Sequence, residues 1–246
     1  MKFLIPLLTA AISAISVYYF LEHGVEREVI EPQRLKVEFT SQAVEHRLQE
    51  VKKDIRNRLN YFAQQIASDR DFAMRLLAEQ NRSAQTVTRA AVKFRDPMGF
   101  SLLEILDSDY VILSSGHFPA NAGNSAESRI RQLSERVSVL REETMGETHL
   151  TLQAKAPFSI ADIPFYATGG VKIDEEFLEN LATVKGTKVI VKDGDSVLGM
   201  DVQSIEHTED ESILLIDDTE YYASSIPLHS SDGSKVCSLI VIVEKQ

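Results

Sequence analysis

The chain has 246 residues, 43% of them hydrophobic and 26% charged, with a formal net charge of −11, one Cys and no Trp. The acidic balance argues against nucleic acid as a partner, because phosphate binding needs clustered Lys and Arg. A single Cys excludes an internal disulfide and a Cys-rich zinc site; within KVCSLIVIVEK, Cys237 reads as a small core residue.

Phe3–Leu21, FLIPLLTAAISAISVYYFL, carries no charge. Its length suits the ~30 Å hydrocarbon core of a bilayer at ~1.5 Å per helical residue. Tyr18 and Tyr19 stand where an interfacial aromatic belt is expected, and Lys2 favours a cytoplasmic N-terminus. Residues 1–22 therefore read as a membrane anchor with the rest of the chain extracytoplasmic. Small residues at Ala10, Ala11 and Ala14 also fit a cleaved signal peptide, although the apolar run continues past them.

Residues 32–96 carry helical periodicity. Leu48, Val51, Ile55, Leu59, Phe62 and Ile66 step by three or four onto one face. That stripe suits packing on the domain's own sheet or a parallel dimer stalk, and the spacing fits both. After the turn cluster Asp96-Pro97-Met98-Gly99 the pattern changes to strands. Ser101–Asp107 and Tyr110–Ser115 form a hairpin about Ser108-Asp109. A polar loop, Gly116–Ser125, leads to a short helix over Ala126–Glu135. Strands follow at Val137–Thr144, His149–Ala156 and Phe165–Ile173, with a loop over Pro157–Pro164. Gly169-Gly170 marks a bulge or a close backbone approach.

A second unit opens with a helix over Asp174–Val184, where Asp174 is a good N-cap and Lys185-Gly186 a good stop. Thr187–Lys192 and Ser196–Met200 flank Asp193-Gly194, a strong hairpin signal. Ser212–Ile216, Tyr221–Pro227 and Lys235–Val243 complete it, the last two flanking a turn at Ser231–Ser234. This unit reads as the smaller, with about five strands and one helix. Residues 32–96 hold 13 Lys/Arg against 8 Asp/Glu, whereas residues 171–246 hold 6 against 16. The acidic end is not expected to lie on an anionic leaflet.

The two halves repeat a rough plan of helix, hairpin and longer antiparallel strands. LDSDYVILSSGHF resembles the hairpin of the extracytoplasmic PAS-like sensors called Cache domains. PFYATGGVKIDEEFLENLATVKGTKVIV resembles the junction between two such units, and YYASSIPLHSSDGSKVCSLIVIVEK their paired closing strands. The resemblance covers Pro32 to the C-terminus. It implies an α+β chain: an N-terminal transmembrane helix, a long amphipathic helix (32–96) and two PAS-like antiparallel-sheet units, one membrane-distal (97–173) and one membrane-proximal and smaller (174–246). It further implies the ligand-sensing module of a membrane receptor, most simply of a two-component histidine kinase whose output domain lies elsewhere. The Tyr/Arg/Trp/Asp signature of amino-acid-binding members is missing, which counts against an amino-acid ligand. A homodimer through the stalk helix and no cofactor are expected.

Within that resemblance, Ser115, His117 and Phe118 lie where a PAS-like unit opens its pocket. Arg129, on the capping helix, could grip the carboxylate of an organic anion bidentately. Tyr166 and Thr168 share one strand face, and Gln153 and Lys155 another by the same two-residue period; Tyr166, Thr168 and Lys155 are the preferred pocket residues. Solvated loop and helix positions are the plainer account of each. The chain contains no phosphate loop, HExxH, GxSxG or CxxC motif, so neither a catalytic residue nor a metal ligand is expected. The acidic clusters His207–Glu211 and Asp217–Glu220 read as solvated turns, and Asn81-Arg82-Ser83 as a sequon inside a helical run. Two rivals stay open. A protein-interaction module would show a large apolar patch, and an anchored hydrolase would need a Ser–His or carboxylate pair meeting in space.

Overall fold

The computed structural model describes residues 4–78, 82–144, 147–202, 204–207 and 212–245; for 4–31, 143, 144 and 207 it describes the backbone alone. One helix, α1 (Leu4–Ser68), runs through both the apolar N-terminal segment and the amphipathic stripe, with Pro32 inside it. At 1.5 Å per residue it is about 98 Å long. The anchor expected at Phe3–Leu21 falls where side chains lie outside the described residues. Among the described residues, no helix is long and apolar enough to cross a membrane.

The amphipathic run does not continue unbroken to Phe94. Asp69 stops it: its Oδ1 accepts the amides of Asp71 and Phe72, each at 3.0 Å, and so caps a new helix. The short helices α2 (Arg70–Ala73), α3 (Gln85–Thr88) and α4 (Ala90–Arg95) follow, with a π turn at Met74–Ala78. The sequon's Asn81 lies outside the described residues.

The first sheet holds β1 (Leu102–Leu106), β2 (Ile112–Ser115), β3 (Ser138–Thr144), β4 (Glu147–Ile160) and β5 (Ile163–Lys172) in the order β2-β1-β5-β4-β3, all neighbours antiparallel. The β1–β2 hairpin is as expected. Asp107 Oδ1 fixes its turn by accepting the amides of Asp109 and Val111 at 2.9 Å. The loop expected over Pro157–Pro164 is instead strand. β4 and β5 pair as far as Ile160↔Ile163 and reverse through Ala161-Asp162, both at positive φ, 48° and 65°. A two-residue turn of that hand matches strand twist, and no Gly in the sequence advertised it. The helix expected over Ala126–Glu135 shortens to α5 (Glu127–Ile130). Beyond it the chain leaves helical geometry and Ser134 accepts the Lys155 amide at 2.9 Å.

In the second unit α6 (Glu175–Leu181) starts at its Asp174 cap, whose Oδ1 accepts the Phe177 amide at 2.9 Å. The second sheet has the order β7-β6-β11-β10-β9-β8. Its strands are β6 (Lys188–Asp193), β7 (Ser196–Leu198), β8 (Ile205–His207), β9 (Ile213–Ile216), β10 (Thr219–His229) and β11 (Lys235–Glu244). The unit expected to be smaller thus carries six strands to the first unit's five. Three-residue β8 escapes a pattern search because it has too few residues to show alternation. The β6–β7 turn falls at Gly194-Asp195, since Asp193 itself pairs with Ser196. Asp217-Asp218 is a tight turn at positive φ between β9 and β10; residues 208–211 of the other acidic cluster lie outside the described residues.

One continuous core joins the units. Leu48, Ile55, Leu59, Phe62 and Ile66 of the α1 stripe are fully buried, and they pack with Leu103, Ile105, Leu152, Ala154 and Ala167 of the first sheet. The same cluster continues into Val189, Val191, Leu239 and Val241 of the second. Each such Leu, Ile, Val or Phe side chain stabilises the fold by about 1.5–3 kcal/mol. The stripe therefore serves the domain's own sheets, and the dimer-stalk reading of these residues gives way. Gly169 lets α1 close on the sheet, since a Cβ there would lie 2.9 Å from Leu59 Cδ1. The β4–β5 register runs through Gly169-Gly170 unshifted, so this pair marks a close approach and not a bulge. Lower on α1, Val37 packs with Tyr222 and Val243, and Ser224 Oγ donates to Ser41 Oγ at 2.9 Å.

Candidate functional site

Strand alternation sends the odd-numbered members of β1 and β5 and the even-numbered members of β4 toward α1. The opposite face of the first sheet carries Glu104, Thr168, Tyr166, Thr151, Gln153, Lys155 and Glu142. The segment from Gly116 through α5 folds over this face, so most of these polar side chains are buried. Glu104 is 1% exposed and Glu142 7%, and Ser115, Thr151, Gln153 and Thr168 are buried with them.

A charged cluster occupies the space under this cap. Arg129 reaches down from α5 and donates to Glu104 Oε2, and its other terminal nitrogen lies 3.4 Å from Glu142 Oε1. Gln153 Nε2 donates to Glu142 Oε2 at 2.5 Å, and Thr168 Oγ1 to Glu104 Oε2 at 3.4 Å. His117 Nε2 stands 3.8 Å from Glu104 Oε1 and 3.9 Å from Glu142 Oε1. Burial opposes the Arg129 charge, but Glu104 and Glu142, with the hydrogen bond to Glu104, outweigh it and hold the guanidinium pKa above its ordinary value. For His117 burial wins over the pull of the same two carboxylates, and Arg129 and Arg95 add to it. The imidazole pKa is therefore lowered and the ring is neutral at pH 7.

Of the residues singled out from the sequence, Ser115, His117, Arg129 and Thr168 meet in this cluster. Phe118 adjoins it through its amide, which donates to Ser115 Oγ at 3.2 Å. Lys155 and Tyr166 share the face but form a separate group with Tyr110: the Lys155 ammonium lies 5.6 Å from the Tyr166 ring and 6.0 Å from the Tyr110 ring. Burial, then a hydrogen bond with Tyr110, raises the Tyr166 pKa.

The two carboxylates were missed in the sequence. Glu104 had a signal, being the lone charge inside the apolar run LLEIL. Glu142 sits in a charged stretch, REET, that offers no such contrast.

Ser115 Oγ, His117 Nδ1 at 3.3 Å and the His117–Glu104 approach have the order of a hydrolytic triad. The geometry opposes that role. The Ser115 hydroxyl is fully buried and accepts a backbone amide, and a 3.8 Å separation is too long for the hydrogen bond that would orient an imidazole. Among the described residues no group of three or more His, Cys, Asp or Glu side chains is placed to hold a metal ion. Cys237 is buried as expected. Burial first, then the nearby Asp193 carboxylate, pushes its thiol up to about 11.

The long helix backing two antiparallel sheets is the fold of solved extracytoplasmic sensor domains of histidine kinases and of a chemoreceptor ligand-binding domain. The sensor domain of the Vibrio cholerae histidine kinase DctB matches with a TM-score of 0.54 at 12% identity, over 89% of this chain and 98% of that one. The Vibrio cholerae LuxQ periplasmic domain gives 0.55 at 14%, over 85% and 98%. The ligand-binding domain of the Campylobacter jejuni chemoreceptor Tlp3, solved with 4-methylisoleucine, gives 0.51 at 10%, over 89% and 91%. At these identities the likeness is one of fold. No protein-family profile matches the chain, and no curated protein matches it in sequence.

Proposed function

We propose that this chain is the extracytoplasmic ligand-sensing module of a membrane signal-transduction receptor, the input part of a histidine kinase, and that a small molecule binds beneath the cap of the first unit. The observation that carries this reading is the buried Glu104–Arg129–Glu142–His117 cluster. Buried ionisable groups cost stability unless paired, and a purely structural sheet face would be cheaper to fill with Leu or Ile. Tlp3 domains of the same fold were solved with 4-methylisoleucine and with isoleucine, which supports a small organic ligand here.

In this reading Phe3–Leu21 is the anchor and the first unit is membrane-distal, because α1 meets the second sheet at Val37–Ser41 before it meets the first at Leu48–Ile66. Leu35 and Phe39, 63% and 69% exposed one turn apart on α1, supply an apolar strip for a parallel homodimer. Ligand binding shifts an equilibrium between cap positions by its differential affinity for them, and α1, packed on both sheets, carries the shift toward the membrane. Hydrogen exchange on the full chain in detergent micelles, with and without a small-molecule panel, tests the site. Slower exchange across residues 116–133 with a ligand supports it. Protection confined to the second sheet or to exposed surface counts against it.

A further inference from the structure

We infer that the ligand is a small primary amine, an organic cation without a carboxylate, whose ammonium group is held by Glu104, Glu142 and His117. This deepens the proposed function and rests on the same site. The first argument is charge. Under the cap the buried carboxyl groups of Glu104 and Glu142 share one guanidinium, Arg129, while the other nearby cation, Arg95, is turned to Asp96 and the Gly116 carbonyl, so acidic groups are in surplus in a buried setting. A cation relieves that surplus. A carboxylate ligand would deepen it, and Arg129, the group expected to grip such a ligand, is already held by both Glu side chains.

The second argument is an unused acceptor. Glu104 Oε2 serves Arg129 and Thr168, but Glu104 Oε1 is buried and makes no hydrogen bond among the described residues. His117 Nε2 points at the same spot. His117 Nδ1 lies 3.3 Å from Ser115 Oγ; in the tautomer with its proton on Nδ1, Nε2 is an acceptor, and its 3.8 and 3.9 Å distances to Glu104 Oε1 and Glu142 Oε1 are too long for direct hydrogen bonds. In that tautomer three acceptors converge, matching the three hydrogens of a primary ammonium.

Spacing favours an ammonium over a zinc ion. A nitrogen about 2.8 Å from two atoms separated by 3.8 Å sees them at about 85°, an accessible hydrogen-bonding angle. A zinc ion bonded at about 2.1 Å would need about 130° across the same gap, wider than tetrahedral. Leu106, Ile130, Leu133 and Leu140 pack into an apolar cluster that joins α5 to the sheet.

The test is calorimetric titration and thermal shift of the full chain in detergent micelles near pH 8. The probes are ethylamine, n-butylamine and 1,4-diaminobutane, compared with butyrate and isoleucine. At least one amine should bind and raise the melting temperature while butyrate does not. Glu104→Gln or Glu142→Gln should weaken that binding by about tenfold to a hundredfold; two variants are used so that a folding failure in one leaves the other readable. Binding by butyrate or isoleucine alone, abolished by either Gln variant, overturns the amine assignment but leaves the ligand site standing. Amine binding indifferent to both variants, or no response to any of the three amines, overturns the proposal, and in the first case the site as well.

Discussion

Arg129→Met is the sharpest probe of the buried cluster. Methionine keeps most of the side chain's length and apolar stem but removes the charge, leaving Glu104 and Glu142 without their guanidinium. Removing one partner of a buried pair costs about 3–5 kcal/mol. Arg129 is 19% exposed, and Glu142 keeps its bond from Gln153, so the lower end, about 3 kcal/mol, is expected. For a domain of this size that lowers the melting temperature by roughly 6–12 °C. The loss should shrink on acidification. Losing Arg129 removes one of the cations that hold the His117 pKa down, so His117 becomes the cation facing the carboxylates as pH falls. The double variant Glu104→Gln/Arg129→Met should recover roughly 1–2 kcal/mol of the loss, because it removes one stranded charge. Far-UV circular dichroism melts of the full chain in detergent, near pH 8 and near pH 5, measure all three. A loss under about 1 kcal/mol, or one equally large at both pH values, would refute the argument that these carboxylates depend on Arg129 for burial.

Four further outcomes are expected. The His117 pKa lies below its ordinary 6.5 in the folded chain, so the unfolded chain binds more protons between the two values; His117 favours folding fully above about pH 6.5 and less as pH falls through that window, and His117→Gln should flatten this part of a stability–pH profile. Gly170→Ala should destabilise by about 1–3 kcal/mol or more in urea unfolding, because its Cβ would sit 2.2 Å from the Leu152 carbonyl oxygen, whereas Ala161→Asn should stabilise by up to about 1 kcal/mol by placing a residue tolerant of positive φ in the β4–β5 turn. The Cys237 thiol, raised to about 11, should resist alkylation near pH 8 in the folded chain and react only as it unfolds, which mass spectrometry of iodoacetamide-treated samples can follow.

The β1–β2 hairpin, the Asp174-capped helix and the closing β10–β11 pair were legible because each is set by local chemistry: an Asp at a turn or cap, alternation along a strand, a Gly at positive φ. The α1 stripe was legible as a stripe, but its spacing alone could not say whether a sheet or a second helix would cover it. The β4–β5 extension was hidden because its turn uses Ala161-Asp162, residues that advertise a strand continuation no more than a loop.

The buried polar cluster divides the same way. Ser115, His117, Arg129 and Thr168 followed from strand order and from resemblance to a known sensor plan. Their carboxylate partners did not, since Glu104 and Glu142 lie 38 residues apart in sequence. They become neighbours of Arg129 only when β1 and β3 enter one sheet, with β5 and β4 between them, and α5 folds across it. By itself the sequence determined periodicity, capping and which residues share a face. Which charge meets which was decided by the tertiary structure, because Coulomb energy depends on distance through space and on burial, and neither is a property of neighbouring residues along the chain.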